Sequence, residues 1–425
     1  MSVTLVIGAQ WGDEGKGRIV DFLSRGASVV ARFGGGSNAG HTVRVADKTY
    51  KLRIVPSGVV AGVPHCIIGP GTVVSPTALV TELDTLEFNG VDTSRVWVSD
   101  LAHLILPYHI EIDKSAERER GQDALGTTGN GIGPAYVDRV ARTGMRAGEL
   151  LDMRRARQAL FARTQELRSR GIVLDLDATV AELTRQAERI VPHIRDTVAL
   201  LHEELRAGKH VLAEGAQGSL LDVNFGTYPY VTSSVTIAGG ACSGLGFGPK
   251  EVDCVLGVVK AYQTRVGGGP LPTELQDQQG EELRKRGAEF GVVTGRPRRC
   301  GWLDLVALRY AVQISGITHL ALTKLDVLDT FYQISVCTGY DNPSEGSWPF
   351  VIAHGATPIY EMMPGWLKPT VSAHSWEDLP YNAREYIELI ESFAGVPVSY
   401  VSVGPERMQI IVRPGAPVAI PARVR

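Results

Sequence analysis

The sequence predicts an α/β fold with a large, mainly parallel central sheet flanked by helices. Short apolar runs alternate with longer helical stretches along the 425 residues, and this order is typical of parallel sheets. Strands are predicted at residues 3–7, 29–33, 67–74, 96–98, 211–213, 252–259, 320–322 and 334–336. Residues 76–88 and 302–315 have the apolar spacing of helices that cover the faces of such a sheet.

Residues 148–207 form a different kind of segment. They are rich in Arg, Glu, Leu and Ala and contain few glycines, a composition that favours two or three helices. We expect this segment to be a helical insertion beside the sheet. With no internal repeat and no low-complexity linker in view, residues 1–425 are predicted to form a single domain.

The composition narrows the class of protein. Hydrophobic residues make up 44% and charged residues 21% of the chain, with a formal net charge of −3, so neither a nucleic acid nor a membrane is expected as a partner. No apolar stretch approaches the roughly 20 residues that span a bilayer. Five scattered cysteines without a Cys-x-x-Cys pair predict reduced thiols and a cytoplasmic location.

A glycine-rich turn at residues 8–18 follows the first predicted strand and precedes a predicted helix. Such a turn presents backbone N–H groups to a phosphate, and Lys16 would add a cation. The segment departs from the common nucleotide loop, because Gln10 and Gly17 stand where a Gly and a Ser or Thr are usual. Asp13 could replace the missing hydroxyl as a ligand of Mg²⁺. The alternative is an ordinary turn with solvated charges.

Four further loops carry groups suited to chemistry. They are residues 34–42 with His41, residues 126–134 with paired hydroxyls, residues 214–218 with Gln217, and residues 291–299 with three arginines. A histidine in a glycine-rich loop after a strand is well placed for acid–base work. Clustered guanidinium groups repel one another unless anions join them, which favours phosphate or carboxylate ligands over a plain charged surface.

The tetrapeptide Thr323-Lys324-Leu325-Asp326 is a near match to the Asn-Lys-x-Asp motif that reads guanine. A carboxylate accepts hydrogen bonds from guanine N1–H and from its amino group, whereas adenine offers neither donor there. The tetrapeptide is weak evidence alone. After a phosphate loop, it favours GTP over ATP.

Taken together, the motifs resemble those of the adenylosuccinate synthetase family, in the same order and spacing from residue 3 to about residue 412. The matching segments are residues 10–17, 126–134, 226–234, 272–275 and 323–329. The resemblance implies a P-loop-like, GTP-binding ligase that joins IMP and L-aspartate to give adenylosuccinate, GDP and phosphate. It also implies a homodimer and a requirement for Mg²⁺.

The resemblance further implies a role for each matching residue. Asp13 would be the base that removes the N1 proton, His41 the acid that assists phosphoryl transfer, and Gln217 a donor to the 6-oxygen, with Lys16 as the fourth catalytic residue. The implied GTP contacts are Gly12, Asp13, Glu14, Gly15, Lys16, Gly17, Gly40, His41, Thr42, Arg298, Lys324, Asp326, Ser402 and Gly404. The implied IMP contacts are Asn38, Thr128, Gln217, Thr232, Arg296 and, from the other subunit, Arg142. The implied Mg²⁺ ligands are Asp13 and the Gly40 carbonyl, and the implied amino-acid contacts are Asn130, Val293, Thr294 and Arg296.

Two of the amino-acid contacts depart from the family pattern. The family usually has Arg or Lys where Asn130 stands, and Thr where Val293 stands. Each lost charge-assisted hydrogen bond would cost about 1.5–3 kcal/mol of aspartate binding. A ligase with a different amino donor or nucleotide is therefore the first alternative, and a catalytically silent nucleotide-binding regulator is the second.

Overall fold

The computed structural model describes residues 2–45, 48–169, 171–290, 297–341 and 345–417. The strands are β1 Ser2–Gly8, β2 Val29–Arg32, β3 His41–Val45, β4 Lys48–Leu52, β5 His65–Ile68, β6 Val73–Val74, β7 Val96–Ser99, β8 His103–Leu104, β9 Ile194–Arg195, β10 His210–Glu214, β11 Val252–Lys260, β12 Gln263–Arg265, β13 Arg299–Gly301, β14 Leu303–Asp304, β15 His319–Thr323, β16 Gln333–Asp341, β17 Thr357–Pro364, β18 Val398–Ser402 and β19 Ile410–Val412. The helices are α1 Lys16–Leu23, α2 Pro76–Phe88, α3 Pro107–Arg120, α4 Ile132–Ala141, α5 Met153–Ser169, α6 Leu176–Ile190, α7 Thr197–Arg206, α8 Gly239–Leu245, α9 Gln278–Arg286, α10 Leu305–Ser315, α11 Trp348–Ala353 and α12 Tyr381–Ala394.

A mainly parallel sheet forms the centre of the molecule and confirms the predicted fold class. Ten strands of the described chain make up this sheet, in the order β19-β18-β15-β11-β1-β10-β2-β5-β7-β9. Every pairing is parallel except that of the edge strand β19 with β18. Because parallel strands end at the same edge of a sheet, the loops after β1, β2, β10, β11 and β15 gather on one side.

Both faces of the sheet are buried, as the continuous apolar runs of its strands require. Successive side chains of a strand point to opposite faces, so β1 contributes to two separate cores. Leu5 and Ile7 pack into one core with residues of α10 and α12, whereas Val6 packs into the other with residues of α1 and α2. Within the described ranges, no helix has the length and apolar character needed to cross a membrane.

Several elements differ from the sequence-based prediction. The run at residues 67–74 is divided into β5 and β6 by the turn Gly69-Pro70-Gly71. The segment at residues 302–315 begins with the short strand β14, and α10 starts only at Leu305, where the Asp304 carboxylate caps the helix by accepting from the Ala307 N–H at 2.9 Å. Strand β16 belongs to a separate sheet with β14 and β17. Three strands of the central sheet, β9, β18 and β19, were not predicted.

The segment at residues 148–207 contains three helices, α5, α6 and α7. It also contains the two-residue strand β9, which pairs in parallel with β7 at the edge of the central sheet. The helix α7 then leads directly into β10, near the middle of the same sheet. The last helix of the segment is therefore a crossover connection of the sheet.

The turn that divides residues 67–74 has no room for a side chain at Gly71. A Cβ atom there would lie 2.1 Å from the carbonyl oxygen of Phe33 and 2.6 Å from Cα of Gly244, and neither backbone atom can rotate away. We expect Gly71→Ala to lower the free energy of unfolding by about 2 kcal/mol or more. Gly248→Ala, where nothing lies within 4 Å of the added atom, is the matched control. Equal urea midpoints for the two variants would contradict the prediction.

Candidate active site

A cleft of about 620 Å³ opens at the carboxyl edge of the central sheet. It is lined by the predicted site residues Gly12, Asp13, Gly15, Lys16, Gly17, Asn38, Gly40, His41, Thr42, Thr128, Gln217, Thr232, Arg298 and Lys324. The predicted residues Glu14, Asn130, Arg142, Asp326, Ser402 and Gly404 lie outside its wall. Val293, Thr294 and Arg296 fall outside the described residues.

The phosphate loop joins β1 to α1 and is built around a buried carboxylate. Glu14 is fully buried, and its Oε1 accepts hydrogen bonds from the backbone N–H groups of Gln10 at 3.1 Å and Gly12 at 2.9 Å. Its Oε2 accepts from Lys16 Nζ at 2.5 Å. The Glu14 side chain therefore lies inside the loop, where it shapes the turn and holds the lysine.

The side chain of His41 is fixed by a second buried carboxylate. The His41 Nδ1 contacts Glu214 Oε1 at the end of β10, and Ser57 donates to Glu214 through its hydroxyl at 2.7 Å and its N–H at 2.8 Å. Burial lowers the pKa of His41, while Glu214 opposes that shift. Gly17 lies against the His41 side chain, since a Cβ on Gly17 would come within 2.7 Å of His41 Cβ.

Left-handed backbone occurs at several predicted site residues. Among described non-glycine residues, positive φ angles include Asp13 at 58°, Arg142 at 64°, Gln217 at 54° and Lys324 at 62°. Each such conformation costs on the order of 1–3 kcal/mol and commonly occurs at functional sites.

The amide of Gln217 is buried, and neither its oxygen nor its nitrogen has a hydrogen-bond partner among the described residues. This amide is available to a ligand.

Asp13 is positioned by an arginine from across the cleft. Its Oδ2 lies 2.9 Å from Arg298 Nε, and the carboxylate remains partly accessible to the cleft. Gly40 lies in the wall of the same cleft. A carboxylate and a backbone carbonyl are oxygen ligands of the kind that Mg²⁺ accepts, together with water and substrate phosphates.

The predicted guanine residues lie at the carboxyl ends of the neighbouring strands β15 and β18. Lys324 follows β15 and donates to the Gly287 carbonyl at 2.6 Å. Ser402, the last residue of β18, accepts a hydrogen bond from Arg18 at 2.5 Å, and Arg18 also donates to the Gly404 carbonyl. Burial raises the pKa of Asp326 and lowers the pKa of Arg18 to about 10. Arg18 thus ties α1 to the segment after β18.

The hydroxyl loop at residues 126–130 is held by two acidic residues of α3. Glu117 accepts from the backbone N–H groups of Leu125, Gly126 and Thr127 at 2.8–3.2 Å. Asp113 accepts from the Thr127 hydroxyl at 3.1 Å and from the Gly131 N–H at 2.9 Å. The loop is therefore held by α3, and Thr128 lies in the wall of the cleft.

Comparison with known proteins identifies the family. The sequence model of the adenylosuccinate synthetase family matches residues 5–411 of this chain. The chain belongs to the adenylosuccinate synthetase family. It is 50% identical over 422 residues to the adenylosuccinate synthetase of Moorella thermoacetica, covering 97% of this chain and 99% of that one. The enzyme of Heliobacterium modesticaldum is 47% identical over 426 residues, with the same coverages.

A solved structure of the fully ligated adenylosuccinate synthetase from Plasmodium falciparum has the same fold. It superimposes with a TM-score of 0.92 at 37% sequence identity, covering 97% of this chain and all of that one. The family assignment therefore rests on both sequence and fold.

Sequence reasoning about this family member missed several residues that shape the site. Arg18 is the last residue of the glycine-rich turn and Glu214 the first residue of the Gln217 loop, and neither was given a role. Ser57 lies in a segment without any motif. These three residues are identified by a buried polar side chain that contacts a predicted catalytic or binding residue. Such a contact is known only from the folded structure. Arg142 is exposed on α4's C-terminal turn, away from the cleft wall of its own chain.

The phosphate loop of this family member provides a test of the Glu14 interaction. Glu14→Gln keeps the shape of the side chain but removes its charge and one of its acceptor atoms. We expect the affinity for GDP in the presence of Mg²⁺, measured by calorimetry, to fall about tenfold to a hundredfold. Glu188→Gln, an exposed change on α6, is the control. Unchanged GDP affinity in folded Glu14→Gln would show that the carboxylate does not support the loop.

Proposed function

We propose that the chain is a GTP-dependent ligase that forms adenylosuccinate from IMP and L-aspartate in the AMP branch of purine nucleotide biosynthesis, with Mg²⁺ and in the cytoplasm. The proposal is supported above all by one observation: a single cleft is lined by Asp13, Lys16, His41 and Gln217. Asp13 and Gln217 lie in the loops after β1 and β10, whereas Lys16 is the first residue of α1 and His41 the first residue of β3. The cytoplasmic location is supported by the five cysteines, all of which are free.

The 6-oxo group of IMP is a poor leaving group, so the reaction needs activation before an amine can displace it. Asp13 removes the N1 proton, and the 6-oxygen attacks the γ-phosphorus of GTP. The bond from this phosphorus to the β-phosphate oxygen breaks, and GDP is released. The aspartate amine then attacks C6, the phosphate leaves with the former 6-oxygen, and the amine loses a proton.

Gln217 is suited to the 6-oxygen because its amide is a buried hydrogen-bond donor in the wall of the cleft. Its left-handed backbone lies three residues beyond β10, and its side chain lines the cleft. A donor that is aimed in advance at developing negative charge contributes about 3 kcal/mol to transition-state stabilisation. Neither amide atom has a partner among the described residues that would have to be displaced.

His41 is proposed to donate a proton to the phosphoryl group as it is transferred. Burial disfavours its charged form, whereas Glu214 at Nδ1 favours that form and holds the ring so that Nε2 is left for the ligand. The pKa of Glu214 would be raised by its burial, but His41 and Arg32 more than offset this and lower it. Glu214 is thus an anion that supports a transient imidazolium.

Asp13 and the Gly40 carbonyl would hold Mg²⁺, which supplies positive charge next to the transferred phosphate. The amino-acid contacts stay a proposal built on Asn130, Val293, Thr294 and Arg296. Asn130 lies outside the cleft wall, two residues beyond Thr128, which lines it. This placement supports neither a loss of aspartate binding nor a different amino donor.

We also propose a homodimer in which Arg142 serves the IMP site of the second subunit. The support is the position of Arg142, which is exposed, has a left-handed backbone, and lies away from the cleft of its own chain. Sedimentation velocity at assay concentrations is expected to give a dimer, and a monomer that retains full activity would overturn the proposal.

The function is tested by a steady-state assay with IMP, GTP and Mg²⁺ in which each common amino acid is supplied in turn and phosphate release is followed. We expect turnover with L-aspartate at millimolar concentrations or below, and adenylosuccinate as the product by mass spectrometry. Turnover only with another amine would overturn the proposed substrate and make Asn130 and Val293 specificity determinants. Nucleotide binding without any turnover would favour a regulator.

The role of Glu214 gives a pH-dependent prediction. In Glu214→Gln the anion that favours the imidazolium is gone, so the pKa of His41 falls further. An acid is lost as the pH rises through its pKa, and the descending limb of kcat against pH is therefore expected to move to lower pH, with a fall in maximal kcat of about 10². Glu204→Gln is the control, because Glu204 lies 4.0 Å from a different histidine, His65. A lower kcat with an unmoved limb would exclude this role.

A further inference from the structure

A third buried carboxylate lies behind the arginine that contacts Asp13. Glu289 is 1% exposed and follows α9. Its Oε1 accepts from Lys260 Nζ at 2.8 Å and from the Tyr262 hydroxyl at 2.5 Å. Its Oε2 accepts from Arg298 Nη1 at 2.7 Å. Sequence patterns gave no indication of this cluster.

The cluster connects the centre of the sheet to the cleft. Lys260 is the last residue of β11 and is completely buried, whereas the side chain of Arg298 is 12% exposed and lines the cleft. Arg298 also has an ion pair with Asp13 Oδ2, and its N–H donates to the Glu289 carbonyl at 3.0 Å. One guanidinium is thus held between a buried carboxylate and the carboxylate that faces the ligand.

The cost of burying these charges indicates a purpose beyond packing. Removing a carboxylate and an ammonium from water is unfavourable, and apolar side chains of similar volume are often as stable. Burial alone would raise the pKa of Glu289, but Lys260, Lys324 and Arg298 lower it to about 2. Glu289 therefore remains an anion over the working pH range and keeps its hold on Arg298.

We propose that Glu289 is a positioning residue that fixes Arg298 for the phosphates of GTP, and that Lys260 and Tyr262 fix Glu289 in turn. This inference rests on the proposed function. If Mg²⁺ takes the Asp13 carboxylate, the Arg298 guanidinium would lose one carboxylate partner and keep Glu289. Its orientation is then set by Glu289, and its remaining N–H groups face the phosphate oxygens.

A double-mutant cycle between Glu289→Gln and Arg298→Met tests the proposal through GDP affinity and through kcat and KM. Each single variant is expected to weaken GDP binding about tenfold to a hundredfold and to leave the KM for IMP within about twofold. Because Glu289 acts through Arg298, the double variant is expected to bind GDP no more weakly than Arg298→Met alone.

The matched control is Glu188→Gln on α6, which removes an equal charge at an exposed position outside the cluster. Its GDP affinity is expected to stay within about twofold of wild type. If Glu289→Gln does not fold, Tyr262→Phe takes its place in the cycle, since it removes one donor to Glu289 without changing any charge. A smaller loss of GDP affinity, again absent in the Arg298→Met background, is then expected.

Losses that add in the double variant would overturn the proposal, as would unchanged GDP affinity in a folded Glu289→Gln or Tyr262→Phe. A wild-type protein that binds GDP but makes no adenylosuccinate would overturn the proposed function alone, and the affinity cycle would still decide the role of Glu289. A wild-type protein that binds no GDP would overturn both.

Discussion

The geometry of the cleft depends on the contact between the Glu14 carboxylate and the backbone of its own loop. The carboxylate has to be reached by two N–H groups and a lysine, so the chain must pass very close to it. A Cβ atom on Gly8 would lie 2.5 Å from a Glu14 oxygen, and one on Gly218 would lie 2.6 Å from the other. Gly218 follows Gln217 directly. The same carboxylate therefore sets the phosphate loop after β1 and the position of the amide after β10.

Buried polar side chains connect the remaining strand ends in the same manner. The Gln10 amide donates to the carbonyl oxygens of Lys260 and Tyr262 and accepts from the Lys260 N–H at 3.0–3.2 Å, which joins the phosphate loop to the end of β11. Arg18 joins α1 to the end of β18, and Glu214 joins β10 to His41. Buried polar contacts of this kind hold the loops in place, which allows strained backbone to persist at Asp13 and Gln217.

The fold class could be predicted from the sequence, because a strand buried on both faces and the helix after it leave clear apolar patterns. The direction of a side chain within a loop could not. The Glu14 carboxylate lies within its own loop, which no sequence pattern indicated, and the GTP contact implied for Glu14 stays a prediction. The prediction of one strand at residues 67–74 was wrong, because the chain turns at Gly69-Pro70-Gly71, where Gly71 lies against backbone atoms of Phe33 and Gly244, both distant in sequence. The roles of the individual site residues remain predictions.

The buried carboxylates also explain how several cationic side chains can line one cleft. Lys16, Arg298 and Lys324 line one cleft, and like charges this close repel one another strongly when water is partly excluded. Glu14 pairs with Lys16, and Glu289 pairs with Arg298 and lies near Lys324, so carboxylates of the protein itself balance the repulsion. A phosphate chain then adds negative charge to cations that are already in place, and binding does not have to supply the energy to assemble them.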